Sequence, residues 1–163
     1  MKKFKWIFIV LLSIGGLSSC SSDVVFEERK DFSEMKWMRF DVDTFRVNIK
    51  NIDDCYDLIF QCRFTSQINV DNTPVMVKMH APSGQMRSFV YTLPIKNKNG
   101  NFEGDKIGDV YDSESKLRNN VFFNEPGEYI FSIQQMSSHY EIFDVLGIGL
   151  KVVKSKLDYS FIE

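Results

Sequence analysis

The sequence predicts an all-β fold, an antiparallel, jelly-roll-like β-sandwich behind an export leader. Three observations carry this. Apolar and polar residues alternate along most of the chain, the period of a half-buried strand. Clusters of Asn, Asp, Pro and Gly separate the alternating runs. Only Ser113 to Asn120 offers a helical reading, of one or two turns. Several short strands punctuated by turns make a sandwich.

The leader comes first. Lys2, Lys3 and Lys5 precede the short apolar run Trp6 to Ile14. A bilayer-crossing helix needs roughly 20 apolar residues, so this run is too short to span. A positive start, a brief apolar core and small residues before a cut site describe an export signal. Its end, Leu17-Ser18-Ser19-Cys20, resembles a bacterial lipobox. That resemblance implies lipid transfer to the Cys20 thiol, cleavage before Cys20 and acylation of the new amine, with palmitate as a representative chain. Residues 1–19 are then the signal peptide, 20–23 a lipidated tether, and 24–163 a single β-sandwich domain. One acyl chain holds a protein only marginally and two or more hold it durably, at about 0.8 kcal/mol per buried CH₂.

Cleavage after residue 19 leaves 144 of the 163 residues, enough for one domain with a core. The leader holds three of the 20 basic residues and none of the 22 acidic ones, so the remainder carries −5. That balance argues against nucleic acid as a partner.

The strands follow in order. Phe45, Val47 and Ile49 alternate with Arg46, Asn48 and Lys50. Tyr56, Leu58, Phe60, Cys62 and Phe64 alternate with Asp57, Gln61 and Arg63. Val75, Val77 and Met79 form the next run, which His80 and Pro82 end; Phe89, Tyr91, Leu93 and Ile95 form another. Tyr129, Phe131 and Ile133 come after Pro126-Gly127. Leu146, Ile148, Leu150 and Val152 close the series, with Gly147 and Gly149 on the opposite face. Glycine inside a strand marks a bulge or a close approach of another backbone. Turns are expected at Asn51–Asp54, Asp71–Pro74, Pro82–Gly84, Lys96–Gly100 and Asn124–Gly127. Cys55 and Cys62 lie seven residues apart, about 23 Å along one strand, whereas a disulfide needs Cα atoms within about 7 Å. Cys62 reads as core and Cys55 as the residue leading into the strand; a bridge between them requires a tight turn in the intervening segment.

Catalytic chemistry finds little support. His80 and His139 are the only histidines, and neither G-x-S-x-G nor H-E-x-x-H occurs. No Cys/His spacing fits zinc. The carboxylates at Glu27-Glu28, Asp53-Asp54 and Glu103 to Asp112 read as solvated loops. No cofactor or metal is expected, and the chain does not read as an enzyme.

The most unusual stretch is Asn99 to Asp112, with Gly100, Gly104 and Gly108 at four-residue intervals. A calcium loop beginning at Asn99 would place Val110 where a bidentate Glu belongs. No G-K-[ST] follows, so it is not a phosphate loop. Residues 97 to 112 contain no Ser, Cys or His. Three glycines point to unusual backbone angles. Phe102, Gly104, Gly108, Asp109 and Tyr111 are the candidate partner surface; the alternative is that Phe102 and Tyr111 plug the end of the sandwich.

This loop also carries a family resemblance. "NFEGDKIGDVYD" resembles the glycine-rich segment of the gliding motility lipoproteins called GldH. "YDLIFQCRF" (56–64), "PGEYIFSIQQM" (126–136) and "DVLGIGLKVVK" (144–154) resemble, in order, the family's early strand, its Pro-Gly-x-Tyr strand and its closing strand. Phe102 stands where the family usually carries Trp. The resemblance implies a lipoprotein of the gliding or type IX secretion machinery, acting through envelope protein partners and the membrane, not an enzyme. The other reading is a surface lipoprotein whose sandwich binds a glycan; only Trp37 remains after the leader to stack on a sugar. Ser21 rather than Asp follows Cys20, which points to the outer membrane. Asp23 alone is a poor surface-export signal, which favours the periplasmic face.

Overall fold

The computed structural model describes residues 23–155; the segment read as a leader, with Cys20, and the residues after Ser155 lie outside it. Eleven strands follow in order: β1 (Val24–Asp31), β2 (Lys36–Met38), β3 (Asp43–Ile49), β4 (Tyr56–Thr65), β5 (Asn72–His80), β6 (Met86–Pro94), β7 (Asp105–Ile107), β8 (Val110–Val121), β9 (Gly127–Gln135), β10 (Glu141–Phe143) and β11 (Val145–Lys154). One sheet has the order β1-β11-β4-β8-β7 and the other β3-β9-β5-β6, while β2 and β10 form a separate ribbon. Over the eight long strands alone the orders are first-eighth-third-sixth and second-seventh-fourth-fifth. That is jelly-roll connectivity, and every strand pair is antiparallel.

Alternation builds the core. Phe45, Val47, Ile49, Val75, Val77, Tyr129, Phe131 and Ile133 project inward from one sheet. Leu58, Phe60, Cys62, Phe64, Ile148, Leu150 and Val152 meet them from the other. Trp37 on the ribbon stacks on Phe60 at 6.0 Å and lies 6.5 Å from Phe32, closing the core at one end.

Several expectations need correction. Ser113 to Asn120 is not helical but part of β8, the longest strand. Glu, Lys, Leu and Arg favour helix locally, yet Ser113, Ser115 and Leu117 fall at spacing two and face inward, and pairing with β4 decides the outcome. Asp71 to Pro74 is not a turn, because β5 begins at Asn72 and Pro74 pairs with Thr92. Leu146 is not in the core phase: a register shift between Val145 and Gly147 gives that place to Val145. Gln61 and Asp57 fall on the outward phase of β4, yet both are buried. Glu27, Glu28 and Asp112, expected in solvated loops, instead lie in β1 and β8, where the strand pairing holds them. Gly147 and Gly149 match expectation: a Cβ on Gly147 would lie 2.5 Å from the Lys30 carbonyl oxygen, and one on Gly149 2.7 Å from Gln61 Oε1.

The antiparallel order gives the sandwich two distinct ends. β1 starts and β11 finishes at one end, together with the turns at 50–55, 81–85 and 122–126. The opposite end gathers the segments 32–42, 66–71, 95–109 and 136–144. At about 3.3 Å per residue, the ten residues of β4 separate the ends by roughly 30 Å.

Candidate functional site

The glycine-rich stretch lies at the end remote from the start of β1. After β6 the chain turns over Asn97, whose Oδ1 accepts the amides of Asn99 and Asn101. Lys96 and Phe102 then bridge. Gly100, Gly104 and Gly108 all have left-handed φ, at 79°, 102° and 63°. Gly104 is the most constrained, since a Cβ there would lie 2.3 Å from the Asp112 carbonyl oxygen. This close approach lets β7 pair with the first residues of β8.

The candidate residues separate into two groups. Phe102 and Tyr111 turn inward and are half-buried; Tyr111 stacks on Phe64 at 5.6 Å, and Phe102 lies 4.8 Å from Tyr111. Lys96 and Lys106 lie 5.3 and 5.5 Å from the centroids of those rings. Gly104, Gly108 and Asp109 are exposed, beside Ile107 at 72 %. The loop therefore uses two rings to anchor itself and offers an outer edge to a partner.

A second cluster at this end went unseen in the sequence. On the β2–β10 ribbon Trp37 and Ile142 face inward, leaving Phe143 outward at 52 % exposure. Past the Met38–Glu141 end of the ribbon, Phe40 and Tyr140 are 68 % and 60 % exposed and meet edge to face at 5.7 Å. Arg39 sits over Phe40 and Lys36 over Phe143. At three residues per strand, neither β2 nor β10 carries a periodic signal that marks these rings in the sequence. Hydrogen bonds join the two clusters: Ser66 N donates to the Asp109 carbonyl, and Thr65 N and Oγ1 donate to Asp144, next to Phe143.

The outer face of the five-stranded sheet carries a polar network that restrains the strands. Arg63 donates from Nε and Nη2 to both Asp112 oxygens at 2.8 Å, and Arg29 adds a third bond at 2.9 Å. The Arg63 guanidinium, with Arg29 beside it, holds the Asp112 carboxyl below the usual range against the opposing effect of burial. Gln61 donates to Glu27 and Glu114 and accepts from Arg29. Burial raises the Glu114 carboxyl, but Gln61 and Lys151 outweigh it and hold it low. These carboxylates are ionised and paired, which suits a clamp rather than proton transfer.

The residues weighed for other chemistry stand apart. His80 closes β5 at the end where β1 starts, and His139 lies in the loop at the other end. Cys55 and Cys62 are buried and unlinked, and burial pushes the Cys62 thiol up to about 12. Among the described residues no group of three His, Cys, Asp or Glu is placed to hold a metal ion, and no helix is long and apolar enough to cross a membrane. Cys20 lies outside the described residues.

Two solved structures resemble the fold weakly. A carbohydrate-binding module specific for non-crystalline cellulose matches 80 % of this chain and 73 % of its own at 9 % identity and a TM-score of 0.44. A structure of the Gx strain of infectious bursal disease virus matches 85 % of this chain and 32 % of its own at 13 % identity and a TM-score of 0.32. Neither bears on ligand or function. In sequence, a gliding motility lipoprotein GldH homolog of Christiangramia forsetii is 26 % identical over 156 residues, covering 91 % of this chain and 95 % of the homolog. The GldH lipoprotein family profile matches residues 24–152, which takes in every strand but the last two residues of β11, and the chain belongs to that family.

Proposed function

We propose that this GldH-family chain is a lipid-anchored accessory protein of the gliding or type IX secretion machinery. It sits on the periplasmic face of the outer membrane and acts by holding an envelope protein partner. Cys20 carries the lipid. The observation that carries the reading is the separation of the two ends. β1 begins at Val24, four residues after Cys20, so an anchor there holds one end of the sandwich close to the bilayer. The exposed rings Phe40, Tyr140 and Phe143, with the loop edge Gly104, Ile107, Gly108 and Asp109, occupy the opposite end. Aromatic residues dominate interface hot spots, and ordered loops on a rigid β scaffold commonly carry function.

A glycan-binding role fits less well. Among the described residues Trp37 is the one tryptophan, and it is 1 % exposed. Phe40 and Tyr140 meet edge to face rather than forming a flat platform.

Cys20→Ser tests the anchor. Radiolabelled palmitate should label the wild type and not the variant, and the variant should leave the membrane fraction or stay uncleaved. A variant that remains in the membrane fraction at wild-type mobility would mean that another group anchors the chain.

A further inference from the structure

One flank of the jelly roll is open. Among the described residues β6 pairs with β5 alone, and β8 loses its outer neighbour beyond Asp112, where its pairing with β7 ends. The two free edges lie side by side, and a groove of about 600 Å³ runs between them. Its wall includes Leu58 and Phe89, with Phe122 exposed at the rim. A free edge offers a row of unpaired N–H and C=O groups, which proteins usually blunt with lysine, proline or a short strand. β6 has nine residues, no lysine, and no proline before its last position.

The groove also holds two arginines. In the ladder to β4, the partner of Ile59 is Lys116 and the partner of Leu58 is Arg118, so Leu117 is the extra residue of a bulge. Leu58 faces the core, and the bulge brings Arg118 to that side instead of the outward phase of Glu114 and Lys116. Bulges commonly re-aim a side chain in this way. The Arg118 guanidinium lies 4.6 Å from the Phe89 ring centroid, and Arg87 lines the same groove. Among the described residues neither arginine forms an ion pair with a carboxylate. After residue 19 the chain is net acidic, so two guanidiniums without a carboxylate partner, in one groove of mixed polar and apolar lining, form a local site for negative charge.

We propose that this flank docks an extended acidic and apolar segment of a partner protein by strand addition. The main chain of the segment pairs with the β6 edge. Alternate side chains point into the groove, where Arg87 and Arg118 take carboxylates and Phe89 and Phe122 take apolar groups. The site is distinct from the aromatic end and does not depend on it.

The test titrates the full-length lipoprotein in non-ionic detergent with a fluorescein-labelled nine-residue peptide alternating glutamate and valine. A lysine–valine peptide and a glutamate–valine peptide with alternate amides N-methylated serve as comparisons. The glutamate peptide should bind saturably, shift amide resonances of β6 and β8, and bind roughly tenfold more weakly to Arg118→Gln and to Arg87→Glu. Both comparison peptides should bind more weakly still. Arg87 is exposed on an edge strand, so Arg87→Glu decides the matter if Arg118→Gln fails to fold. Equal binding of the lysine peptide, indifference to N-methylation, or unchanged affinity in the folded arginine variants would overturn the proposal. Phosphatidylglycerol vesicles that bind in an Arg118-dependent way and displace the peptide would assign the groove to a membrane instead. Self-association abolished by Arg87→Glu would assign it to a second copy of this chain.

Discussion

Gly100 and Gly104 share a left-handed backbone, yet their surroundings differ. A Cβ at Gly100 meets nothing within 4 Å, whereas one at Gly104 strikes the main chain of Asp112 and Ser113. Gly100→Ala should therefore cost about 1 kcal/mol of conformational strain. Gly104→Ala should cost on the order of 3 kcal/mol, because backbone must shift as well. Chemical denaturation of the two variants checks this, and equal midpoints would show that the β7–β8 approach is not tight. Asp112 makes a second residue-scale prediction. Its carboxyl is held low by Arg63, so its contribution is complete above the ordinary carboxylate range and is lost as pH falls through the folded-state value. Arg63→Met should lower the unfolding free energy at pH 7 by on the order of 1 kcal/mol, read by chemical denaturation, since Arg63 is partly solvated. It should also flatten the decline between about pH 5 and pH 2. A parallel pH profile would remove the pair from the account. Some of this was legible in the sequence. Gly147 and Gly149 opposite aliphatic residues signal a crowded backbone, and the structure shows one. Gln61 was not legible. Its phase reads as solvent, and it is covered by partners 32 to 53 residues away that no local pattern reveals.

At the scale of elements, period two located most of the strands, because inward aromatic and β-branched residues leave an unambiguous stripe. It failed where the inward residues are small or polar, as with Ser113 and Ser115 in β8, and where a bulge shifts the phase, as at Leu146. The glycine-rich loop stood out by composition, but the direction of its rings depends on Phe64, far away in β4. Phe102 and Tyr111 close that end of the core as a pair, so Phe102→Ala with Tyr111→Ala should destabilise the sandwich by about 3–5 kcal/mol. Ile107→Ser, on the exposed edge of the same loop, should leave the melting temperature within about 1 °C of wild type, as surface changes usually do. A stable double variant would mean that the rings contribute contact area to a partner rather than to the core. The β2–β10 ribbon shows the opposite case. Three residues per strand are too few for periodicity to register, yet they place Phe143 outward and Trp37 inward.

At the scale of the whole molecule, the jelly roll converts chain order into polarity. β1 and the closing strand are neighbours, so the start of β1 and the end of β11 meet at one end and the exposed aromatic rings lie roughly 30 Å away. A stiff antiparallel sandwich carries that separation without a linker, which suits a protein that holds one component at a fixed distance from a membrane. Family membership was legible from four ordered motifs and the leader, because the order of motifs survives where identity falls to 26 %. The direction of the molecule was not legible until the strands were paired. The end remote from β1's start is proposed to meet an envelope protein while the other end faces the bilayer. Site-specific photo-crosslinking in cells separates the two ends, with the photoreactive residue at Tyr140 in one strain and at Asp53, in the β3–β4 turn away from the β6 edge, in another. A discrete protein adduct is expected from Tyr140, and lipid adducts or none from Asp53. A protein adduct from Asp53 with none from Tyr140 would place the partner at the membrane-facing end and overturn the proposal.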